Sequence, residues 1–456
     1  MTVSGIVISK NDNLAKFDRG VKINGVSVAG RTTDEATQLV LAKMKKQIDD
    51  IDIKIIYKDK IWQFSKDDFQ IDEGVKNVVN NVFKTTKLTD KKTVEYIANK
   101  TGDFQTALKD VFVDFDKKID EIAKEIDADA QDAFVEFDPN AKQMFQVVDA
   151  KQGIKVDKQR LVQDIERQFA NSNQITVYVH TDVVEPKVTK SYFDDKLNLQ
   201  SKFSTSIKGS TAGRRNNVTV AMQKINGTVV KPNQIVSFNE LTSPQDASGG
   251  YQDAIIILNG KFVNGMGGGL CQASTTLYNA CVLANLQILE VHKHTLPVHY
   301  VELALDAMIS NGYADMIFKN NSDDDIYIKS YVAQDDAVVE IYGKSIPEGV
   351  TIKRVSEIVK TLPHSGDKVI ADANGEYSSQ VLYKGEYYRL KWPSEGHEAK
   401  AYKEYYKDGR LIGREEIRHE TYQPEQGIVI EGTQDLPQGL ALPKQDVYII
   451  KPQKEQ

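Results

Sequence analysis

The chain has 456 residues, more than one hydrophobic core usually organises, so we expect roughly two to four domains. Hydrophobic residues make up 40% of it and charged residues 27%, as in soluble globular proteins. The net charge of −7 at pH 7 excludes the basic surface with which nucleic-acid-binding proteins neutralise phosphates.

Membrane and disulfide signals are weak in this sequence. No stretch approaches the ~20 apolar residues that cross a bilayer, and no signal peptide is visible. Taken literally, this pattern predicts a cytoplasmic protein. The two cysteines, Cys271 and Cys281, lie ten positions apart. We expect no disulfide between them, because ten helical positions rise ~15 Å and a disulfide needs Cα atoms within ~7 Å.

Residues 1–190 predict two small α+β units. The first has a hairpin that turns at Asn24-Gly25, a helix capped by Thr32 and a strand pair. The second repeats this order after a helical insertion at about 86–133. The predicted elements are hairpin Val21–Val28, a helix to about Lys46, strands Ile51–Tyr57 and Lys60–Phe64, helix Phe112–Ile126, strands Phe134–Phe137, Phe145–Val148 and Gly153–Asp157, helix 158–170 and strand Ile175–His180.

The rest of the chain predicts two further modules and a tail. Residues 191–346 are rich in glycine and hold both cysteines. Strand patterns dominate residues 347–440, which we expect to form a small all-β module, and 441–456 is a tail. The strands predicted there are Val369–Ala371, Val381–Tyr383, Tyr387–Lys391, Ala401–Tyr406 and Ile428–Ile430. The fold class is therefore α+β, modular and multidomain.

The segment around Cys271 carries the strongest chemical signal. A run of three glycines precedes Leu270 and Cys271, and apolar residues follow at helical spacing: Leu277, Cys281, Ala284 and Ile288. We expect Cys271 at a helix N-terminus, where free N–H groups and the helix dipole favour the thiolate. The backbone N–H groups of Gly268, Gly269 and Gln272 would then form an oxyanion hole.

A thiolate nucleophile usually needs a histidine close in space, and His292, His294 and His299 follow the predicted helix. The sequence does not decide which of them is the base. A purely structural Cys271 and a metal site formed with His292 and His294 remain open, although the paired-cysteine spacing of zinc sites is missing. Cys281, inside the apolar stripe, is expected to be core.

These motifs resemble the VanW domain family over about 200–345. The matching segments are Phe203–Ser206, Arg214–Val218, Asn226–Pro232, Ser237–Asn239, Gly249–Tyr251, Gly267–Asn279, His294–Val298 and Leu305–Ala307. Val21–Val28 with Thr32–Ala36 resembles the putative peptidoglycan-binding modules that precede such domains. Residues from about 350 to Thr433 resemble the G-five (G5) β module of surface proteins, through Tyr405–Ile412 and Gly427–Thr433.

Some clostridial members of this architecture resemble L,D-transpeptidases. The resemblance implies that Cys271 attacks the third residue of a tetrapeptide stem, expels the terminal D-alanine and forms 3-3 cross-links, with His294 as general base. Lys293 stands where the family often has proline, and His299 replaces a frequent serine. The alternatives His292 and His299 therefore stay open, and Asp306 is the candidate for orienting the base.

The resemblance also implies a substrate groove and partners. Arg214 or Arg215 would hold a stem carboxylate, unless they form structural salt bridges. Tyr251, Ser274 and Thr275 would line the groove, or Tyr251 would simply pack. The expected partners are peptidoglycan stem peptides and glycan, with carbapenems as covalent inhibitors and without nucleic acid, cofactor or metal.

The family resemblance predicts a different location from the cytoplasmic one suggested by the lack of a signal peptide. We expect an extracytoplasmic protein at the cell wall or outer membrane face of a Gram-positive bacterium, with an N-terminal transmembrane anchor ahead of this chain. Two other functions stay open. One is a non-catalytic peptidoglycan-binding surface protein linked to glycopeptide resistance, and the other is a metal-dependent hydrolase.

Overall fold

The computed structural model describes residues 15–88, 103–258, 261–347, 349–442 and 445–452. The chain divides into two compact units, Met1–Ala133 with Asp149–Thr189, and Phe134–Val148 with Lys190–Gln456. The described helices are α1 Thr33–Ile48, α2 Ile71–Leu88, α3 Phe115–Ile126, α4 Lys158–Phe169, α5 Ala212–Ile225, α6 Phe238–Thr242 and α7 Leu270–Leu283. No helix in these ranges is long and apolar enough to cross a membrane.

The first unit places helices α1 to α4 around short sheets. Its strands are β1 Lys22–Ile23, β2 Val26–Ser27, β3 Asp52–Tyr57, β4 Lys60–Ser65, β5 Asp103–Phe104, β8 Gly153–Val156, β9 Gln174–Tyr178 and β10 Thr181–Val184. Strand β3 pairs antiparallel with β4 and parallel with β9. Buried side chains from residue 17 to residue 179 form one core, so β9, assigned by the sequence to the second α+β unit, shares a sheet and a core with β3 of the first.

Local sequence signals explain the start of this unit. Asn24 and Gly25 have φ of 50° and 71°, the left-handed values that a type I′ hairpin turn needs. The Thr32 side chain accepts a hydrogen bond from the N–H of Glu35, whose carboxylate accepts one from Thr32, so the predicted capping box is confirmed. Helix α3 begins at Phe115 rather than at the predicted Phe112. Residues 89–102 of the predicted insertion lie outside the described ranges.

The second unit contains the glycine-cysteine segment and the C-terminal strands. Its strands before residue 345 are β6 Phe134–Phe137, β7 Phe145–Val148, β11 Asn198–Ser206, β12 Thr228–Val230, β13 Ile235–Ser237, β14 Asp253–Leu258, β15 Lys261–Met266, β16 Gln287–Glu290, β17 Ile317–Lys319, β18 Ile326–Ala333 and β19 Asp336–Gly343. They form a four-stranded sheet in the order β11-β19-β18-β12, a three-stranded sheet β13-β17-β16, and the hairpins β6-β7 and β14-β15.

The strands beyond residue 349 form two three-stranded sheets, β20-β23-β24 and β21-β25-β22. Their bounds are β20 Val350–Leu362, β21 Asp367–Ala371, β22 Tyr387–Lys391, β23 Gly396–Lys407, β24 Arg410–Tyr422 and β25 Gly427–Glu431. The all-β character predicted for this region is confirmed. The predicted strand Val381–Tyr383 is wrong, because only Tyr383 forms an isolated bridge, to Gln434. Strands β20 and β24 were not predicted.

Helix α7 lies at the centre of the second unit. Of its fourteen residues, only Cys271 and Leu283 are not buried. The apolar spacing predicted a helix longer than α7. The helix ends at Leu283, Asn285 takes a φ of 58°, and Ile288 lies in strand β16. A helix followed by a short strand with one apolar residue in register produces the same apolar spacing as one longer helix, which explains the error.

Candidate active site

Cys271 lies in the first turn of α7, at the end of the helix that remains accessible. The chain enters through Gly267 and Gly269, whose φ values of 78° and 115° favour glycine. A Cβ on Gly268 would lie 2.6 Å from the carbonyl oxygen of Ile255, so the close approach to strand β14 excludes a side chain there. The expected position of Cys271 at a helix N-terminus is therefore confirmed, and the residue is partly exposed.

The Cys271 thiol donates a hydrogen bond to the carbonyl oxygen of Ile309 at 3.5 Å, and the imidazole of His294 lies close enough to lower the pKa of the thiol. The Nδ1 atom of His294 lies 2.7 Å from a carboxylate oxygen of Asp306, and this same oxygen accepts the backbone N–H of His294 at 2.6 Å. With Nδ1 engaged by Asp306, the Nε2 side of the ring is left for the thiol. Cysteine, histidine and aspartate thus form the chain of contacts that activated thiol nucleophiles use.

The electrostatics of this site favour a charged pair. Burial would raise the pKa of Cys271, but the hydrogen bond with His294 and the positive charges of His294 and Arg214 outweigh it and hold the pKa below its usual range. Burial would lower the pKa of His294, whereas its hydrogen bonds with Asp306 and Cys271 raise it to about 9. Both shifts favour the thiolate–imidazolium form of the pair over its neutral form.

Asp306 is itself held by residues far away in the sequence. The Tyr422 hydroxyl donates a hydrogen bond to the second carboxylate oxygen at 2.6 Å, and Arg418 donates to the Asp306 carbonyl. Burial would raise the pKa of Asp306, but the hydrogen bonds with His294 and Tyr422 outweigh it and lower the pKa. The carboxylate therefore stays ionised although only 2% of the residue is exposed.

Some backbone N–H groups next to Cys271 in sequence are hydrogen-bonded and others are not. The N–H groups of Leu270 and Gln272 are bonded to the carbonyls of Gly267 and Gly269. Among the described residues, the N–H groups of Gly268, Gly269 and Cys271 make no backbone hydrogen bond. Orphan donors of this kind at a helix start are what an oxyanion hole requires. Of the predicted donors, Gly268 and Gly269 keep their N–H groups available and Gln272 does not.

The predicted substrate-binding arginines occupy different environments. Arg214 donates to the side chain of Gln272 at 2.7 Å, and its charge acts on Cys271. Arg215 forms an ion pair with Asp335 at 2.5 Å and donates to the carbonyl of Gln334 at 2.9 Å. The structural salt bridge considered for the arginines therefore describes Arg215, whereas Arg214 bonds Gln272 and acts on the thiol through its charge.

The other predicted groove residues are part of the packing. Tyr251 is 2% exposed and its hydroxyl donates to the carbonyl of Thr242 at 2.9 Å, which fits the packing interpretation. Ser274 and Thr275 are fully buried and bonded to the main chain of Ala307. The burial and internal hydrogen bonds of these three side chains favour a packing role, and their role in a substrate groove stays a prediction.

The structure separates the three histidines. Only His294 contacts Cys271. His292 bonds Glu290 at 2.9 Å and its ring lies near Tyr313, and His299 is exposed. Both cysteines are free, and Cys281 is fully buried with its pKa raised by that burial, as expected for a core residue.

Three site residues escaped the sequence analysis. Tyr422 and Arg418 lie more than a hundred positions beyond Asp306, on the buried face of β24. That face alternates glutamate, arginine and tyrosine rather than apolar residues, so its pattern gave no sign of burial. Tyr300 lies beside His294 with ring centroids 6.4 Å apart, and burial raises its pKa. In the described ranges, no group of three or more histidine, cysteine or acidic side chains could hold a metal ion.

Comparisons with known proteins agree with this layout. Residues 213–342 match the family described as "VanW like protein", and residues 62–177 match "Putative peptidoglycan binding domain". The uncharacterised protein YoaR of Bacillus subtilis (strain 168) is 26% identical over 231 residues, which cover 50% of this chain and 74% of that protein.

Vancomycin B-type resistance protein VanW of Enterococcus faecalis (strain ATCC 700802 / V583) is 26% identical over 139 residues, 29% of this chain and 50% of that protein. The solved G5 domain of an IgA1 protease is 13% identical with a TM-score of 0.13, over 20% of this chain and 98% of that domain. The chain therefore contains a region, residues 213–342, that matches the VanW family, preceded by a region that matches a putative peptidoglycan-binding domain.

Proposed function

We propose that the chain is a cysteine-dependent peptidoglycan L,D-transpeptidase. The observation that carries the proposal is the contact chain from Cys271 through His294 to Asp306 at the open end of α7. A lowered thiol pKa beside a raised imidazole pKa prepares both the nucleophile and the acid that an acyl transfer needs.

In the first half-reaction, the Cys271 thiolate attacks the carbonyl carbon of the third residue of a tetrapeptide stem. The N–H groups of Gly268, Gly269 and Cys271 stabilise the oxyanion of the tetrahedral intermediate. When the peptide bond breaks, the imidazolium of His294 gives its proton to the leaving amine, and D-alanine departs. The stem is left as a thioester on Cys271.

In the second half-reaction, the side-chain amine of a neighbouring stem attacks the thioester. His294, now neutral, takes a proton from that amine, the carbon–sulfur bond breaks, and the thiolate–imidazolium pair is restored. The product is a 3-3 cross-link. Arg214, beside the thiol, is the residue that we assign to a stem carboxylate, because a guanidinium binds carboxylates through two parallel hydrogen bonds.

The domain matches support the substrate class. The family match at residues 62–177 is to a putative peptidoglycan-binding domain, and one VanW relative carries vancomycin resistance in its name. Both point to the cell wall, so we assign the protein to the extracytoplasmic face. The same matches favour a second candidate, a wall-binding protein without catalysis, in which the glycine-cysteine segment only shapes a ligand surface.

One experiment separates the two candidates. The purified protein is incubated with tetrapeptide muropeptides, and free D-alanine and muropeptide dimers are measured by liquid chromatography and mass spectrometry. The transpeptidase predicts both products from the parent and from Cys281→Ala, and neither from Cys271→Ala. The binding protein predicts that all three proteins bind muropeptides and release no D-alanine.

A further inference from the structure

The segment that carries Asp306 is held by the C-terminal sheet β20-β23-β24. From β20, Arg354 forms an ion pair with Glu302 at 2.6 Å, and the Ser356 hydroxyl donates to the carbonyl of Leu303 at 2.7 Å. From β24, Tyr422 and Arg418 reach residues 304 and 306. Contacts at residues 302, 303, 304 and 306 therefore fix a segment that has no regular secondary structure of its own.

Tyr422 makes the most specific of these contacts. Its hydroxyl accepts the N–H of Ala304 at 3.0 Å and donates to Asp306 at 2.6 Å, and the residue is 1% exposed. Ala304 has a φ of 61°, which is unfavourable for a residue with a Cβ. The Tyr422 hydroxyl thus bonds both a strained backbone position and the carboxylate that faces His294.

Arg418 provides the charge that balances this buried carboxylate. Its guanidinium lies 3.9 Å from the Asp306 carboxylate, donates to the Asp306 carbonyl and is paired with Glu420 at 2.8 Å. Its side chain is 4% exposed. The charged or titratable groups around His294 and Asp306 are Arg214 of α5, Cys271 and Tyr278 of α7, Lys293 and Tyr300 of the following loop, and Arg418, Glu420 and Tyr422 of β24.

We infer that the C-terminal β region is a working part of the active site, in which Tyr422 and Arg418 are positioning residues that act through Asp306 on His294. Neither residue touches the thiol or a substrate. They keep the carboxylate ionised and aimed at Nδ1, so that the imidazole presents Nε2 to Cys271. This inference rests on the proposed function for its meaning in catalysis, but its test does not require turnover.

The test measures the rate at which iodoacetamide alkylates Cys271 at neutral pH, in the full chain, with the site of modification identified by mass spectrometry. The buried Cys281 has a raised pKa, so its slow alkylation gives the background rate. Tyr422→Phe removes only the hydroxyl. Tyr406→Phe is the matched control, since Tyr406 lies on the neighbouring strand β23 and donates to Glu404 at 2.7 Å, away from Asp306.

We expect Tyr422→Phe to slow alkylation of Cys271 roughly tenfold, the effect of losing one hydrogen bond to a charged group, and Tyr406→Phe to change it less than about twofold. In an Asp306→Ala background, Tyr422→Phe should slow the alkylation of Cys271 by less than about a further twofold, because the carboxylate through which Tyr422 acts on His294 is already absent. A merely structural role would slow alkylation by the same factor in both backgrounds.

An unchanged rate in Tyr422→Phe, or equal slowing in both backgrounds, overturns the inference. If Asp306→Ala does not fold, the comparison of Tyr422→Phe with Tyr406→Phe decides alone. The two proposals fail separately. A parent protein that releases no D-alanine but shows the predicted alkylation pattern contradicts only the transpeptidase, and the reverse result contradicts only the role of the β region.

Discussion

One carboxylate oxygen of Asp306 accepts two hydrogen bonds from His294, one from the backbone N–H at 2.6 Å and one from Nδ1 at 2.7 Å. The first bond fixes the main chain of the histidine and the second fixes its ring. Because both end on one oxygen, the ring has a single tautomer and orientation when it meets Cys271.

The first prediction concerns the pH dependence of the thiol. In the parent, the alkylation rate of Cys271 should rise through a pKa below the ordinary value of ~8.5, because His294 stabilises the thiolate. In His294→Ala, burial is opposed only by the weaker effects of the hydrogen bond at Ile309 and of the Arg214 charge, so the rise should move to ~8.5 or above. Iodoacetamide alkylation rates from pH 5 to pH 10 measure this, and coinciding profiles would contradict it.

The raised pKa of His294 also couples folding to pH. The folded pKa of about 9 exceeds the unfolded value of ~6.5, so the stabilisation by the imidazolium is fully present below ~6.5 and is lost as the pH rises through about 9. The difference in unfolding free energy between the parent and His294→Gln should therefore shrink between pH 7 and pH 10. Urea unfolding at several pH values measures it, and a constant difference would refute this assignment.

Gly268 is predicted to be sensitive to the smallest side chain. A Cβ there would lie 2.6 Å from the Ile255 carbonyl oxygen and 2.9 Å from the Ala254 carbonyl carbon, which are backbone atoms that cannot turn aside. Gly268→Ala should cost ~1–3 kcal/mol of unfolding free energy and slow the alkylation of Cys271, because the loop must shift. Gly413→Ala, where the nearest atom lies at 3.5 Å, is the control and should leave both nearly unchanged.

The buried ion pair between Asp367 and Arg389 should contribute strongly to the stability of the protein. Arg389 binds its two oxygens at 2.7 and 2.8 Å, and the side chains are 6% and 0% exposed. Asp367→Ala should destabilise the protein by ~3–5 kcal/mol, because it leaves a buried guanidinium without its partner. The exposed pair of Lys384 with Asp435 is the control, and Asp435→Ala should cost less than ~1 kcal/mol. Similar losses from both changes would show that burial of the pair does not matter.

Short signals in the sequence predicted much of the fold and the position of Cys271 at a helix N-terminus. The capping box at Thr32, the Asn24-Gly25 turn and the glycine run before Cys271 each act over a few residues, so the sequence reveals them directly. The choice of His294 over His292 and His299 depended on Asp306, which no spacing rule connects to the histidines. The roles of Arg418 and Tyr422 depended on how β24 packs against the segment before Asp306, a long-range contact that local pattern cannot reveal.

The polar residues of α7 show again that local sequence patterns do not predict which side chains are buried. Ser274 and Thr275 follow Cys271 in sequence, and the family resemblance implied that they line a substrate groove. They are bonded to Ala307 instead, because a fully buried helix must satisfy its own polar side chains. Sequence position beside the nucleophile therefore did not indicate exposure to the substrate.

The central claim, that the Cys271 sulfur becomes acylated, is tested most directly by intact-protein mass spectrometry after brief incubation with tetrapeptide muropeptide or a carbapenem. We predict an added mass equal to the muropeptide less D-alanine, or to the carbapenem, which peptide mapping locates on Cys271 and which Cys271→Ala lacks and Cys281→Ala retains. A parent protein that stays unmodified under both conditions, or an adduct on another residue, would contradict the account.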